Sequence, residues 1–235
     1  MNDYLEPYRE EIGKDAINAL PMVSYDGPVR VVEREEELPE VLKLLQGDTL
    51  LGLDTEMRPC FERGKPLRPT ALLQLAGERA VVLVRLKNVP VTGPLAALLG
   101  DPNILKVGVA IGDDMRLMRR NATFPAAGMV DLAQTARLAG IPTLGLRSLA
   151  ANFLKVRISK GAQCSNWEKA ELSEQQILYA ATDAWIGREI YLKMRTIPGL
   201  IFQPVDIEAQ LVRKPRRFVH HRRSRRLDTQ VGVPS

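Results

Sequence analysis

Cysteine, histidine and aromatic residues are all scarce in this chain of 235 residues. Two cysteines, Cys60 and Cys164, cannot build a disulfide scaffold or a four-thiolate zinc site. The two histidines, His220 and His221, both lie near the C-terminus, so the rest of the chain has no imidazole to offer a metal. Aromatics make up 5 % of the residues, which leaves the core to aliphatic side chains. No apolar run approaches the ~20 residues needed to span a bilayer. The opening segment MNDYLEPYREEIGKDAINAL is charged throughout and has no signal-peptide-like apolar stretch. Structural zinc, membrane spanning and secretion are thereby disfavoured, and a reducing cytoplasm is the expected setting.

What is present fits a soluble globular protein, 45 % apolar and 26 % charged. The net charge of +5 is unevenly placed. Eight of the 33 basic residues and one of the 28 acidic residues lie between Arg213 and Ser235. Residues 1–212 are therefore slightly acidic, and the basic character belongs to the tail RKPRRFVHHRRSRR, which includes Arg216 and Arg217. Such a tail suits sequence-independent contact with phosphates. A solvated end that aids solubility is the plainer alternative.

Periodicity and turn chemistry divide the rest. A short helix with coil is expected up to about Met22, then a strand over Val29 to Glu33 and a helix over Glu35 to Gln46. Strands follow over Leu50 to Glu56, Ala71 to Ala76 and Ala80 to Val84. The pattern then alternates: helix Pro94 to Leu99, strand Ile104 to Ala110, helix Asp114 to Arg120, short strand Met129 to Asp131 and helix Leu132 to Ala139. Leu144 to Leu154 reads as helical. The last helix opens on a capping box of Ser173 and Gln176 and runs toward Pro198. An antiparallel group followed by helix–strand alternation implies an α/β domain with a mixed sheet. The expected organisation is an N-terminal extension over 1–28, one domain over 29–197, and a C-terminal segment with a flexible basic tail over 198–235.

Carboxylates stand out in three places. Asp54 and Glu56, two apart on a strand, project from one face. Anions so close persist when a cation lies between them, and hard divalent ions prefer oxygen; taken alone, two solvated charges at a strand end explain them as well. In GVAIGDD, Asp113 and Asp114 follow a strand and open a helix, where acids commonly serve as caps. In YAATDAW, Tyr179 and Asp183 stand at i and i+4 and share a helix face.

The order LDTE, GVAIGDDMRLM, YAATDAW resembles the three motifs of the DEDDy 3′–5′ exonuclease superfamily. That group includes the exonuclease domains of ribonuclease D and of the Werner syndrome helicase, and stand-alone bacterial exonucleases. The resemblance runs from about Val29 to Arg195 and takes in PTALLQLA, LGLRSLA and QCSNW. It implies an RNase H-like fold, a mixed five-stranded sheet flanked by helices. By position, Asp54 and Glu56 match the first motif, and Tyr179 and Asp183 match the third. Asp114 matches the second, standing six residues after Gly108. The branch that places a histidine near the last aspartate is excluded.

The resemblance implies phosphodiester hydrolysis with two divalent ions, Mg²⁺ or Mn²⁺, releasing nucleoside 5′-monophosphates from the 3′ end of single-stranded RNA or DNA. Asp54 would bridge the ions, Glu56 and Asp183 would serve the one carrying the nucleophile, and Asp114 the other. Tyr179 would orient the attacking water. A degenerate, non-catalytic nucleic-acid binder is the alternative, but all four acids and the tyrosine are present. Further candidate substrate contacts are Met57, Gln74, Asn166 and Trp167, with Arg216 and Arg217 in the tail. Each has a plainer role in packing or local hydrogen bonding. Asp131, between a strand and a helix, is expected to be an N-cap and not a fifth ligand.

Overall fold

A computed structural model describes residues 3–57, 69–119 and 122–207. Six strands form one mixed sheet in the order β1-β4-β3-β2-β5-β6. They are β1 (Val29–Val32), β2 (Leu50–Met57), β3 (Thr70–Ala76), β4 (Val81–Arg85), β5 (Leu105–Gly108) and β6 (Met129–Asp131). The pairs β2/β3 and β3/β4 are antiparallel; β1/β4, β2/β5 and β5/β6 are parallel. The family likeness implied five strands. The sheet has six, each of which the sequence pattern had marked as a strand.

Period-two alternation sorts the central strands into two faces. Leu51, Leu53, Leu73, Leu75, Val82 and Val84 pack with residues of α2 (Leu38–Leu42), α3 (Gly93–Gly100) and α4 (Ile111–Met118). On the opposite face Leu72, Ala76 and Leu83 meet Ala180, Ala181 and Ala184 of the long helix α7 (Glu174–Arg195). Each fully buried leucine or valine contributes about 1.5–3 kcal/mol. Small residues let α7 lie close to the sheet. A Cβ at Gly52 would collide with the carbonyl of Ala184, and one at Gly108 with that of Leu53.

The expected helix over Glu35 to Gln46 is broken into a 3₁₀ turn, α2 and a second 3₁₀ turn. Pro39, which has no N–H, sits in the first turn of α2. The helix expected from Asp114 begins three residues earlier, at Ile111. Ala110 takes a left-handed conformation (φ 62°) and turns the chain sharply out of β5. The stretch Leu144 to Leu154 is α6 (Leu146–Leu149) continued by a π turn, closed where Lys155 turns left-handed at φ 58°.

The N-terminal residues pack against the body. Leu5 is buried with Phe153 and Ile190, and the Tyr8 ring stacks on Phe153 at 4.6 Å. The Tyr8 carbonyl accepts from Asn152 Nδ2, and residues past α1 (Lys14–Ala19) bridge to Arg157 through Met22. Arg85, buried at the end of β4, pairs with Glu33 and donates to the carbonyls of Lys169 and Ala170. It thereby ties down the loop that leads into α7. Among the described residues no helix is long and apolar enough to cross a membrane.

Candidate active site

Three elements deliver the acids. On β2, Gly52 abuts α7, so by alternation Asp54 and Glu56 face the same way, toward that helix. Asp114 lies in the first turn of α4, inside the helix and not at its cap, because Ala110 starts the helix early. On α7, Tyr179 and Asp183 are one turn apart on a common face. A cleft of about 390 Å³ opens beside β2 and α7, lined on one side by Asp54, Thr55, Glu56, Tyr179 and Asp183; Asp114 is not among its lining residues. The other side is made by Gly145 to Ser148 and by Ile158, Ser159, Lys160 and Gln163.

The electrostatics bear the mark of anions held too close. Burial pushes Asp54 up to about 7, opposed by the Thr55 N–H that donates to its Oδ1 at 2.8 Å. Glu56 is pushed to about 10 by burial and then by Asp54, Asp183 and Asp114. Asp183 rises to about 8 through burial and Asp54, with the Tyr179 hydroxyl opposing. Asp114 is held well above the carboxylate range by burial and Asp54. The Thr55 hydroxyl acts against that shift without reaching hydrogen-bond geometry, and it has no partner within bonding distance. Tyr179 is also raised, by burial and then Asp183 and Glu56. Asp54, Glu56 and Asp114 each keep some surface open to water, whereas Asp183 is 6 % exposed and its Oδ1 has no hydrogen-bond partner.

Asp131 caps α5 (Leu132–Leu138), accepting from the amides of Ala133 and Gln134. It also accepts from the amide of Ala110 at 3.2 Å, which pins the turn that starts α4 and so sets the position of Asp114.

The other sequence candidates fare differently. Gln74 faces the same side as its cross-strand neighbour Asp54, but it is fully enclosed and neither amide atom has a partner. Trp167 is likewise 0 % exposed and backs the Tyr179 ring at 6.1 Å. Enclosed side chains offer no surface to a substrate, so both expected contacts are corrected to interior roles. Asn166 caps its own loop through the Glu168 amide and borders a separate cavity with Thr70, Leu86 and Lys87. Met57 ends β2 beyond a register shift at Glu56 and is not among the residues lining the carboxylate cleft. Arg216 and Arg217 lie outside the described residues.

Arg147, Ser159, Lys160 and Gln163 line the cleft but did not come from reading the acids. They fall in or near LGLRSLA and QCSNW, two of the three motif segments without a carboxylate. Exposed Cys164 also lies near Glu56.

Asp54 and Glu56 from β2, Asp114 from the first turn of α4 and Asp183 from α7 thus lie close enough for their charges to act on one another. The chain belongs to the 3′–5′ exonuclease family, whose sequence profile matches residues 29–197. Ribonuclease D of Haemophilus influenzae is 34 % identical over 164 residues, covering 69 % of this chain and 40 % of that protein. Exonuclease 3′-5′ domain-containing protein 2 of Homo sapiens is 32 % identical over 188 residues, covering 72 % and 30 %. The chain thus spans less than half the length of either relative. Among solved structures, Escherichia coli RNase D gives a TM-score of 0.63 at 23 % identity, covering 72 % of this chain and 44 % of that one. The Nibbler EXO domain of Aedes aegypti gives 0.63 at 22 %, covering 74 % and 91 %. The fold is RNase H-like, as these neighbours are.

Proposed function

We propose that this protein hydrolyses phosphodiester bonds of single-stranded RNA or DNA from the 3′ end, releasing nucleoside 5′-monophosphates with the help of two divalent cations, Mg²⁺ or Mn²⁺. The observation that carries the reading is the crowding of Asp54, Glu56 and Asp183, with the Tyr179 hydroxyl, into one solvent-open cleft, with Asp114 close enough for its charge to act on Glu56; burial and mutual repulsion raise the pKa values of all four acids. Such crowding costs stability unless a cation offsets it.

The donor set fits hard divalent ions, since it consists of carboxylate oxygens with no imidazole. The unpartnered Asp183 Oδ1 is a buried acceptor that a cation would satisfy. Among the described residues no three His, Cys, Asp or Glu side chains close on one point, so the site is an open cleft and not a finished cage. Asp54, Glu56, Asp114 and Asp183 would hold the ions. When bound, these supply a water of lowered pKa and charge for the leaving oxygen.

The protein's own groups do the rest. Tyr179 stays protonated, because its pKa is pushed further up. It therefore orients a water by hydrogen bonding and does not take its proton. Trp167 behind the ring restricts where the phenol can lie. The turn at Ala110, tethered by Asp131, sets the approach of Asp114.

The test is incubation with 5′-labelled single-stranded RNA and DNA, with Mg²⁺ and then Mn²⁺. The expected result is a ladder shortening from the 3′ end together with free nucleoside 5′-monophosphate. No shortening of either strand with either ion refutes the reading.

A further inference from the structure

The wall of the cleft opposite the acids is part apolar, with Val109, Leu146 and Ile158, and part basic and polar. Of its described lining residues, Arg147 and Lys160 are the two cations, set among Ser148, Ser159 and Gln163. Among the described residues neither cation meets a carboxylate. Arg147 Nη2 donates to the neutral amide oxygen of Asn18 at 2.7 Å, and exposed Lys160 forms no ion pair among the described residues. The Ser159 hydroxyl oxygen accepts from the Gly161 amide, which leaves its own hydrogen to donate into the cleft. Two cations with no acidic partner among the described residues, and a hydroxyl with a hydrogen to donate, share one opening with Asp54, Glu56 and Asp183 and match a phosphate that lies beside the reacting one.

This wall is held from behind by the N-terminal residues. Asn18 fixes the Arg147 guanidinium. The segment before Lys160 is clamped at Arg157, whose amide donates to the Pro21 carbonyl and whose carbonyl accepts from the Val23 amide, both at 2.9 Å. Arg157 Nε donates to the Leu20 carbonyl as well, at 2.9 Å. Between the two halves of the wall, Tyr8 stacks on Phe153 and its carbonyl accepts from Asn152. Residues 8–23 thus span the backs of both basic segments.

We propose that Arg147 and Lys160 form a subsite for the backbone phosphate upstream of the scissile bond, with Asn18 as a positioning residue for Arg147. This rests on the exonuclease reading and deepens it: the cleft selects oligonucleotides that carry at least one phosphate beyond the reacting one. The segment at 1–28, expected to be a mere extension, becomes part of the substrate-binding apparatus.

The experiment compares two substrates on the full chain. One is a single-stranded tetranucleotide, ribo or deoxy according to which the native protein cleaves. The other is the p-nitrophenyl ester of the matching nucleoside 5′-monophosphate, which has a scissile phosphate and no upstream one. Arg147→Ala and Lys160→Ala should each lower the ratio of kcat/KM for tetranucleotide over ester about tenfold, through KM, as expected for loss of a charged hydrogen bond. Arg147→Lys should recover part of the ratio, and Asn18→Ala should raise the tetranucleotide KM about threefold with kcat unchanged. A ratio that stays at the native value in both alanine variants overturns the subsite while leaving the exonuclease reading intact. A native protein inactive on both substrates overturns the exonuclease reading, and the subsite with it.

Discussion

Replacing Asp183 with asparagine should stabilise the metal-free protein while destroying its activity. Asp183 is 6 % exposed, its Oδ1 has no partner, and burial with the charge of Asp54 lifts its pKa to about 8. An unfolded aspartate titrates near ~3.9. The folded protein therefore binds this proton more tightly than the unfolded chain does, and stability drains away as pH climbs from about 4 to about 8. At pH 7.5 the full penalty would be about 5 kcal/mol. Water in the adjoining cleft and the sharing of repulsion with Asp54 reduce it to about 2 kcal/mol. Asp183→Asn removes that penalty with little change of shape, so the metal-free variant should melt roughly 4–8 °C higher than the native protein at pH 7.5. The gap should shrink toward pH 5, where both carry an uncharged group. Mg²⁺ should raise the native Tm and raise that of the variant less, because one ligand charge is gone. Thermal unfolding at pH 5 and 7.5, with Mg²⁺ and with chelator, measures all of this, and a nuclease assay should show loss of at least about 10²-fold. A metal-free variant less stable than the native protein at pH 7.5, or equal stabilisation of both by Mg²⁺, would refute the reasoning.

Tyr179→Phe keeps the ring packed on Trp167 and loses only the hydroxyl, so kcat should fall by roughly 10² with KM little changed; steady-state kinetics decide, and an equal loss in binding points to a structural role. Gly52→Ala drives a Cβ into the Ala184 carbonyl, where no flexible side chain can give way. It should cost about 3 kcal/mol or more, and an unchanged denaturant midpoint would contradict the close approach of α7 to β2. Asp131→Ala removes the α5 cap and the tether on Ala110. It should cost about 1–2 kcal/mol and also slow cleavage, because Asp114 rides on the freed turn; a stability loss with full activity would separate the two roles.

Much of the site was legible because local geometry is periodic. A two-residue step on a strand puts Asp54 with Glu56, and a four-residue step on a helix puts Tyr179 with Asp183, whatever the rest of the chain does. The Ser173–Gln176 capping box and the Asp131 cap are also local, and both stand as expected. Motif order joined these pieces, and the family match covers the same stretch. Asp114 is the intermediate case. Its identity followed from motif spacing, but its place inside the helix depended on a left-handed Ala110, a conformation that an alanine side chain does not announce.

What the sequence determined by itself was therefore the set of elements, their order and the acids that share a face, since these follow from periods of two and of 3.6 residues. Only the tertiary structure decided which polar residues meet solvent. Gln74 and Trp167 look available in a motif and are enclosed once α7 closes on the sheet through Gly52 and its own alanines. Asn166, next in sequence to Trp167, borders another cavity. Conversely Arg147 and Lys160 stand 13 residues apart with nothing periodic to relate them, and they face one cleft because residues 8–23 fasten both segments from behind. Burial and long-range contact depend on how elements pack, and packing at a distance leaves no repeat in the chain for a reader to find.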